Sequence, residues 1–239
     1  MSKKGTYFIF GRHATLAALG NAERSVTKLL VAGKVDEEVS RAAAGKKLPI
    51  ETLDPKALMR LLPPGSVAQG LALEVEPLRE TYIEDLKPKA GRKNLVLVLD
   101  QVTDPHNVGA LFRSAAAFGV RAIVTQDRHA PEEGGVLAKA ASGALDIIPW
   151  CRVTNLGRAL GELFEMGYWR IGLEGAAEKP ISQVDAGDNI ALVLGAEDKG
   201  LRRMTAEYCD FLAKIPIPGE MESLNVSNAA AIALYQLTL

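Results

Sequence analysis

Cysteine and histidine are scarce in this chain. Its 239 residues include two cysteines, Cys151 and Cys209, and three histidines, His13, His106 and His129. The cysteines stand far apart with no C-x-x-C spacing, which leaves no redox pair and no zinc ligand set; no metal is expected. They read as reduced thiols of a cytoplasmic protein. Long apolar runs are missing too. Nothing approaches the roughly 18–20 consecutive apolar residues of a membrane-spanning helix, and the start, Met1-Ser-Lys-Lys-Gly-Thr-Tyr7, has no apolar core or small-residue cleavage site of a signal peptide. Neither G-x-G-x-x-G, G-x-x-x-x-G-K-[ST] nor G-x-S-x-G occurs, so no dinucleotide fingerprint, P-loop or hydrolase nucleophile elbow is offered. With a net charge of −1, the chain is not a protein that holds polyanions by bulk charge alone.

What is present is a soluble, two-domain composition. Apolar residues make up 48% and charged residues 24%, ordinary values for a globular protein long enough for two cores. Charge is distributed unevenly: residues 1–75 carry eleven Lys/Arg against seven Asp/Glu, and the acidic excess lies beyond residue 93. A basic front and acidic back suit a chain whose front handles a polyanion.

Residues 1–75 alternate short strands and helices. Tyr7–Phe10 is an apolar strand, and the following stretch to Gly20 is a helix closed by glycine. Val26–Ala32 is strand-like, Asp36–Lys47 a charged helix, and Leu48–Leu53 a further strand. Asp54-Pro55 opens a helix with Asp as cap and Pro at the first helical position. Ala68–Val75 alternates and completes a small α/β domain. Residues 76–93, with two prolines and mixed charge, read as a linker carrying a short helix near Ile83–Leu86.

From Asn94 the pattern changes. Leu95–Leu99 and Ile190–Leu194 are continuous aliphatic runs, with shorter ones at Ala122–Thr125 and Trp169–Leu173, and helices are expected at 107–118, 134–144 and 155–166. Strands apolar on both faces, alternating with helices, form a parallel sheet covered on both sides. Such sheets bind ligands beyond the carboxyl ends of their strands, where three unusual stretches fall.

The first stretch is Leu99-Asp-Gln-Val-Thr-Asp-Pro-His-Asn107, which leaves a strand and opens a helix carrying Arg113 off its apolar stripe. The second is Leu192-Val-Leu-Gly-Ala-Glu197-Asp-Lys-Gly-Leu201, a glycine-bounded turn followed by Arg202 and Arg203. The third runs from Ile215-Pro216-Ile-Pro-Gly219 through a polar loop, Glu220–Ser223, to Leu224, Asn225, Ser227 and Asn228. It enters a final helix whose Ala229, Ala230, Ala231 and Ala233 let a neighbour approach closely. One helix cap needs one polar side chain, and four crowd this one.

Together these stretches resemble the three signature motifs of the SpoU (TrmH-type) RNA 2′-O-ribose methyltransferases in the SPOUT superfamily. The N-terminal segment, with Gly11-Arg-His-Ala-Thr15 and Ala68-Gln-Gly-Leu-Ala72, is similar to the L30-like substrate-binding domain of RlmB-type members. Those members methylate a guanosine ribose in the peptidyl-transferase region of 23S rRNA, and Arg152-Val-Thr-Asn-Leu156 resembles the same group. The resemblance implies an L30-like domain over 1–75, a linker over 76–93 and a methyltransferase domain over 94–239 whose chain forms a deep trefoil knot. It implies S-adenosylmethionine held by Gly195, Ala196, Ile215, Pro216, Leu224 and Asn225, with Asn107, Arg113, Glu197, Ser223 and Asn225 at the catalytic positions. RNA contacts are implied at Arg12, His13, Gln69 and Arg202, and a homodimer is expected. A tRNA ribose and a non-catalytic RNA-binding role in ribosome assembly stand as alternatives. Asn228 and Asp198-Lys199 depart from the pattern outside the motif core.

The chemistry suits these residue types. Methyl transfer from a sulfonium needs no metal; it needs an oxygen nucleophile held in line. Arg113 serves either as the base for a ribose hydroxyl or as a clamp on the adjacent phosphate. A guanidinium pKa above about 12 favours the clamp.

Overall fold

The computed structural model describes residues 5–197, 199–220 and 223–239. Met221 and Glu222 of the expected polar loop, and Asp198, lie outside the described residues. The chain forms two compact units: the residues up to Arg79 together with Glu132–Ile147, and Glu80–Pro131 together with Ile148–Leu239.

The first unit is built on a sheet of β1 (Tyr7–Phe10), β2 (Val26–Val31), β3 (Ile50–Thr52) and β4 (Leu71–Val75) in the order β1-β4-β2-β3. β4 is antiparallel to both β1 and β2, while β2 and β3 run parallel. Its helices are α1 (Arg12–Gly20), α2 (Glu37–Gly45) and α3 (Pro55–Arg60). Asp36 caps α2 through the backbone N–H groups of Glu38 and Val39, and Asp54 caps α3 with Pro55 just inside it, as the sequence dictates. Phe10, Leu30, Leu58, Leu62, Ala68 and Ala72 close a core on the α3 side.

This unit also takes in Glu132–Ile147, a segment the sequence places within the second domain. A buried ion network holds that segment there. The Arg24 side chain is fully buried and donates to Asp146 Oδ1 at 2.9 Å, Glu133 Oε1 at 2.7 Å and the Tyr7 hydroxyl at 2.9 Å. A buried guanidinium needs carboxylate partners, and both come from the inserted segment. Helix α5 (Gly135–Ala141) presses on β1, where a Cβ on Gly135 would lie 2.3 Å from the Phe8 carbonyl oxygen.

The second unit is a parallel sheet of β5 (Asn94–Leu99), β6 (Ala122–Gln126), β7 (Trp150–Val153), β8 (Trp169–Leu173), β9 (Lys179–Pro180), β10 (Asn189–Leu194) and β11 (Phe211–Lys214). Their order is β7-β6-β5-β10-β8-β11-β9. Its helices are α4 (Pro105–Ala117), α6 (Leu156–Glu165), α7 (Arg203–Glu207) and α8 (Val226–Thr238).

One sheet face packs Val96, Val98, Val124 and Val193 against Leu156, Leu160 and Leu163 of α6. The alternating residues Leu95, Leu97 and Leu99 are equally buried on the opposite face. The expected linker is part of this core. Ile83 and Leu86, on a 3-10 turn at the predicted place, pack with α6, and Thr81 bridges Cys151 along the outer edge of β7. Helix α8 packs against α4 through buried Ala230 and Ala233, and Phe118 meets Tyr235 edge to face at 6.4 Å.

Candidate active site

Three segments meet beyond the carboxyl ends of β5 and β10. Asp104, not Asn107, caps α4, accepting from the His106 backbone N–H at 2.9 Å. Asn107 therefore lies inside the first turn, where its amide is free to reach across. Its Nδ2 donates to Glu197 Oε2 at 3.2 Å, and its Oδ1 accepts from Asn225 Nδ2 at 2.9 Å. Asn225 Nδ2 also donates to Glu197 Oε2 at 3.1 Å, which closes a triangle.

The orientation of each amide follows from α8. Asn225 caps that helix, so its Oδ1 accepts from the Ser227 backbone N–H at 2.9 Å and from Ser227 Oγ at 2.6 Å. That leaves only its NH₂ to face the site. The Asn107 oxygen must then point at Asn225 and its NH₂ at Glu197. Glu197 Oε2 takes both donors, and Oε1 has no partner among the described residues.

Glu197 sits in the turn between β10 and Leu201, away from any helix N-terminus, so helix-dipole stabilisation does not account for it. The turn is tight: Gly200 donates its backbone N–H to the Ala196 carbonyl at 2.8 Å with φ +63. A Cβ on Gly195 would lie 2.0 Å from the Gly200 carbonyl carbon. Backbone therefore comes as close as glycine allows.

Ile215 and Pro216 continue past β11, and Leu224 precedes the Asn225 cap. The close backbone approach at Gly195 and Gly200 leaves a cradle free of side chains, which suits a polar, adenosine-sized cofactor.

Other predicted residues fall elsewhere. Arg113 is exposed one and a half turns beyond Asn107, and among the described residues it makes no hydrogen bond or ion pair. Ser223 is likewise exposed and outside the triangle. Arg202 is not free: its Nε donates to Asp100 Oδ1 at 2.7 Å and its backbone N–H to Asp100 Oδ2 at 3.1 Å. Asp100 is a buried carboxylate that the motif reading passed over, although an acid ending an aliphatic strand is a signal. Ser227, one of the four polar residues crowding this cap, fixes the Asn225 amide.

In the first unit, Arg12 pairs with Asp36 at 3.2 Å and with Glu38, while Gln69, at φ +55, accepts from the Arg12 backbone N–H and from Lys139 Nζ. His13 is exposed beside them. Burial pushes the Cys151 and Cys209 thiols up to about 12, which leaves no thiolate at neutral pH.

A description of the SpoU rRNA Methylase family matches residues 94–235. The chain belongs to the SpoU rRNA methylase family. A second description, RNA 2′-O ribose methyltransferase substrate binding, matches residues 8–81. Similar proteins include the 23S rRNA (guanosine-2′-O-)-methyltransferases RlmB of Pseudomonas aeruginosa and Coxiella burnetii. The first is 38% identical and the second 40%, each over 96% of this chain and 94% of the relative.

The SpoU methyltransferase AviRb from Streptomyces viridochromogenes, solved with AdoMet, superposes with a TM-score of 0.83 at 22% identity, over 98% of this chain and 89% of that one. The SpoU fold expected from the motifs is the observed one.

Proposed function

We propose that this chain transfers a methyl group from S-adenosylmethionine to the 2′-OH of a guanosine ribose in the peptidyl-transferase region of 23S rRNA. The observation that carries the reading is the Asn107–Asn225–Glu197 triangle, which leaves one oxygen of Glu197 open at the carboxyl end of the sheet. Relatives alike over nearly their whole length bear that activity in their names.

S-adenosylmethionine supplies a methyl group on a sulfonium, activated without metal. Gly195, Ala196, Ile215, Pro216, Leu224 and Asn225 would hold it through backbone groups. Glu197 Oε1 accepts a ribose hydroxyl proton in a hydrogen bond, and the two asparagine donors on Oε2 fix the direction of the carboxylate. Arg113, unpaired among the described residues, clamps the neighbouring phosphate and steadies charge developing on the 2′ oxygen. The proton of the 2′-OH would pass along that hydrogen bond to Glu197 Oε1 as the 2′ oxygen takes the methyl group, and the carboxyl would then release it to solvent. A guanidinium with a pKa above about 12 does not need to take it. Ser223, on the third motif's loop, would contact this ribose.

Supporting the RNA reading, the first unit gathers Arg12, His13, Gln69 and Lys139 around the start of α1, and Arg202 is placed at the sheet's carboxyl edge. No described helix is long and apolar enough to cross a membrane, which fits work in the cytoplasm. Exposed Ile232 and Tyr235 on α8, with exposed Leu239 just past its end, support a homodimer; a monomer in sedimentation equilibrium overturns that.

The test is transfer of labelled methyl to unmodified 23S rRNA and, separately, to tRNA, mapped by resistance to alkaline cleavage. One 2′-O-methylguanosine in 23S rRNA is expected. Label in tRNA alone discards the substrate, and no transfer with no cofactor binding leaves an RNA-binding protein.

A further inference from the structure

The outer edge of β7 carries a cleft of about 250 Å³ that methyl transfer does not use. Three stretches line it: β7 and its exit from Cys151 to Thr154, α6 from Asn155 to Glu162, and the chain Thr81–Glu84. The stretch Arg152-Val-Thr-Asn-Leu156, which has no part in the active site, runs through it.

Its lining restricts the occupant. No cation is left over: Arg158 bonds Glu162 at 2.7 Å, Arg152 bonds Asp127 at 2.8 Å, and Glu84 adds a further carboxylate to the lining, so a free anion is disfavoured. A hydrocarbon is also disfavoured, because Thr81, Thr154 and Asn155 present polar groups. Tyr82 is 59% exposed, with its hydroxyl donating to Glu80 Oε2 at 3.1 Å, while the Arg152 guanidinium lies over Trp150, 4.7 Å from the ring centroid. The volume falls below the roughly 300–1,000 Å³ of sites for larger ligands. An uncharged planar heterocycle with donors and acceptors on its edge fits, and unstacked nucleobases in single-stranded RNA are recognised in this way.

The cleft is joined to the active site by a row of hydrogen bonds along the carboxyl ends of adjacent strands. Asp100, just past β5, holds Arg202; Arg202 donates to Gln126 Oε1 at 3.3 Å; and Gln126 Nε2 donates to the Thr154 carbonyl at 3.2 Å. Strands about 4.8 Å apart place β7 about 10 Å from β5, a distance a few nucleotides of extended strand cover. Arg202, 42% exposed, stands midway.

We propose that this cleft is a subsite for one unstacked base of the RNA strand, a few nucleotides from the methylated ribose, with Tyr82 stacked on that base and Arg202 along the connecting backbone. The proposal rests on the RNA methyltransferase reading above.

The test uses the full chain and a single-stranded 23S rRNA fragment containing the target guanosine, made abasic at one flanking position at a time. With the wild type, one abasic position is expected to weaken binding about tenfold, within the range for loss of one stacked base. Tyr82→Ala should bind the intact strand equally weakly and lose nothing further at that position. Tyr82→Phe should restore the wild-type profile, with cofactor affinity and melting temperature unchanged in both variants. If Tyr82→Ala and Arg158→Ala keep the wild-type abasic profile, the cleft is no base subsite, even where labelled methyl still enters RNA. Failure of the wild type to methylate any RNA removes the parent reading, and the dependence of the abasic profile on Tyr82 still decides the cleft.

Discussion

Asn225 Nδ2 lies 2.9 Å from Asn107 Oδ1 and 3.1 Å from Glu197 Oε2, while its Oδ1 caps α8. One side chain thus starts the final helix and orients two partners 118 and 28 residues away in sequence. Asn225→Asp separates the two jobs, because an aspartate still caps but cannot donate, and it sets a like charge beside Glu197. The expected outcome is turnover down at least about 100-fold, the scale for losing one preorganised donor, with a melting temperature close to wild type. Full activity in that variant would falsify the triangle's role.

Arg113 makes no bond among the described residues, so its removal leaves no partner stranded. Arg113→Ala is expected to abolish methyl transfer while S-adenosylmethionine affinity, measured by calorimetric titration, stays at the wild-type value. Equal loss of both rules out the phosphate clamp.

Gly195 has no room for a side chain. Gly195→Ala would bring its Cβ 2.0 Å from the Gly200 carbonyl carbon, and the turn must open. Destabilisation of about 1–3 kcal/mol is expected from overpacking, seen in urea denaturation, together with a loss of cofactor affinity. Wild-type affinity in a folded variant excludes this turn from the cofactor site.

Arg24→Met leaves the Glu133 and Asp146 carboxylates buried together without their cation. Burial already raises the Asp146 carboxyl, with Arg24 pulling it back down. Removing one partner of such a group costs about 3–5 kcal/mol, and adding Asp146→Asn should recover part of the loss. An unchanged denaturation midpoint in Arg24→Met contradicts the network's structural role.

Asp210 gives the acid limb of stability a defined sign. Burial pushes its carboxyl up, yet the Arg170 guanidinium and backbone N–H, bonded at 2.7–2.9 Å, outweigh burial and hold it below the ordinary value. A folded pKa below the unfolded value of about 3.9 stabilises the fold above that pH, and the contribution is lost as pH falls through the folded pKa. Asp210→Asn is therefore expected to be destabilised at pH 7, by a margin that shrinks as pH drops below about 4. A margin independent of pH argues against the pairing.

Much of the fold is legible in the chain because its signals are local. The aliphatic runs at Leu95–Leu99 and Ile190–Leu194 pair in register as parallel strands. Asp54, Asn155 and Asn225 cap the helices they precede, since a cap needs only its own side chain and the next turn. Reading Asn107 as the start of α4 failed because Asp104-Pro105 supplies a stronger start three residues earlier. The short strand at Trp150–Val153 carries too few residues to show a period.

The sequence by itself determined the alternation of strands and helices and the motif residues. Those follow from residue type and near-neighbour spacing. Only the tertiary structure decided which polar side chains meet. It brought Asn107, Glu197 and Asn225 together while leaving Arg113 and Ser223 apart, engaged Arg202 with Asp100, and drew Glu132–Ile147 onto the first sheet. Hydrogen bonds and buried ion pairs depend on angstrom-scale approach between segments distant in the chain, and the order of strands in the sheet fixes that approach.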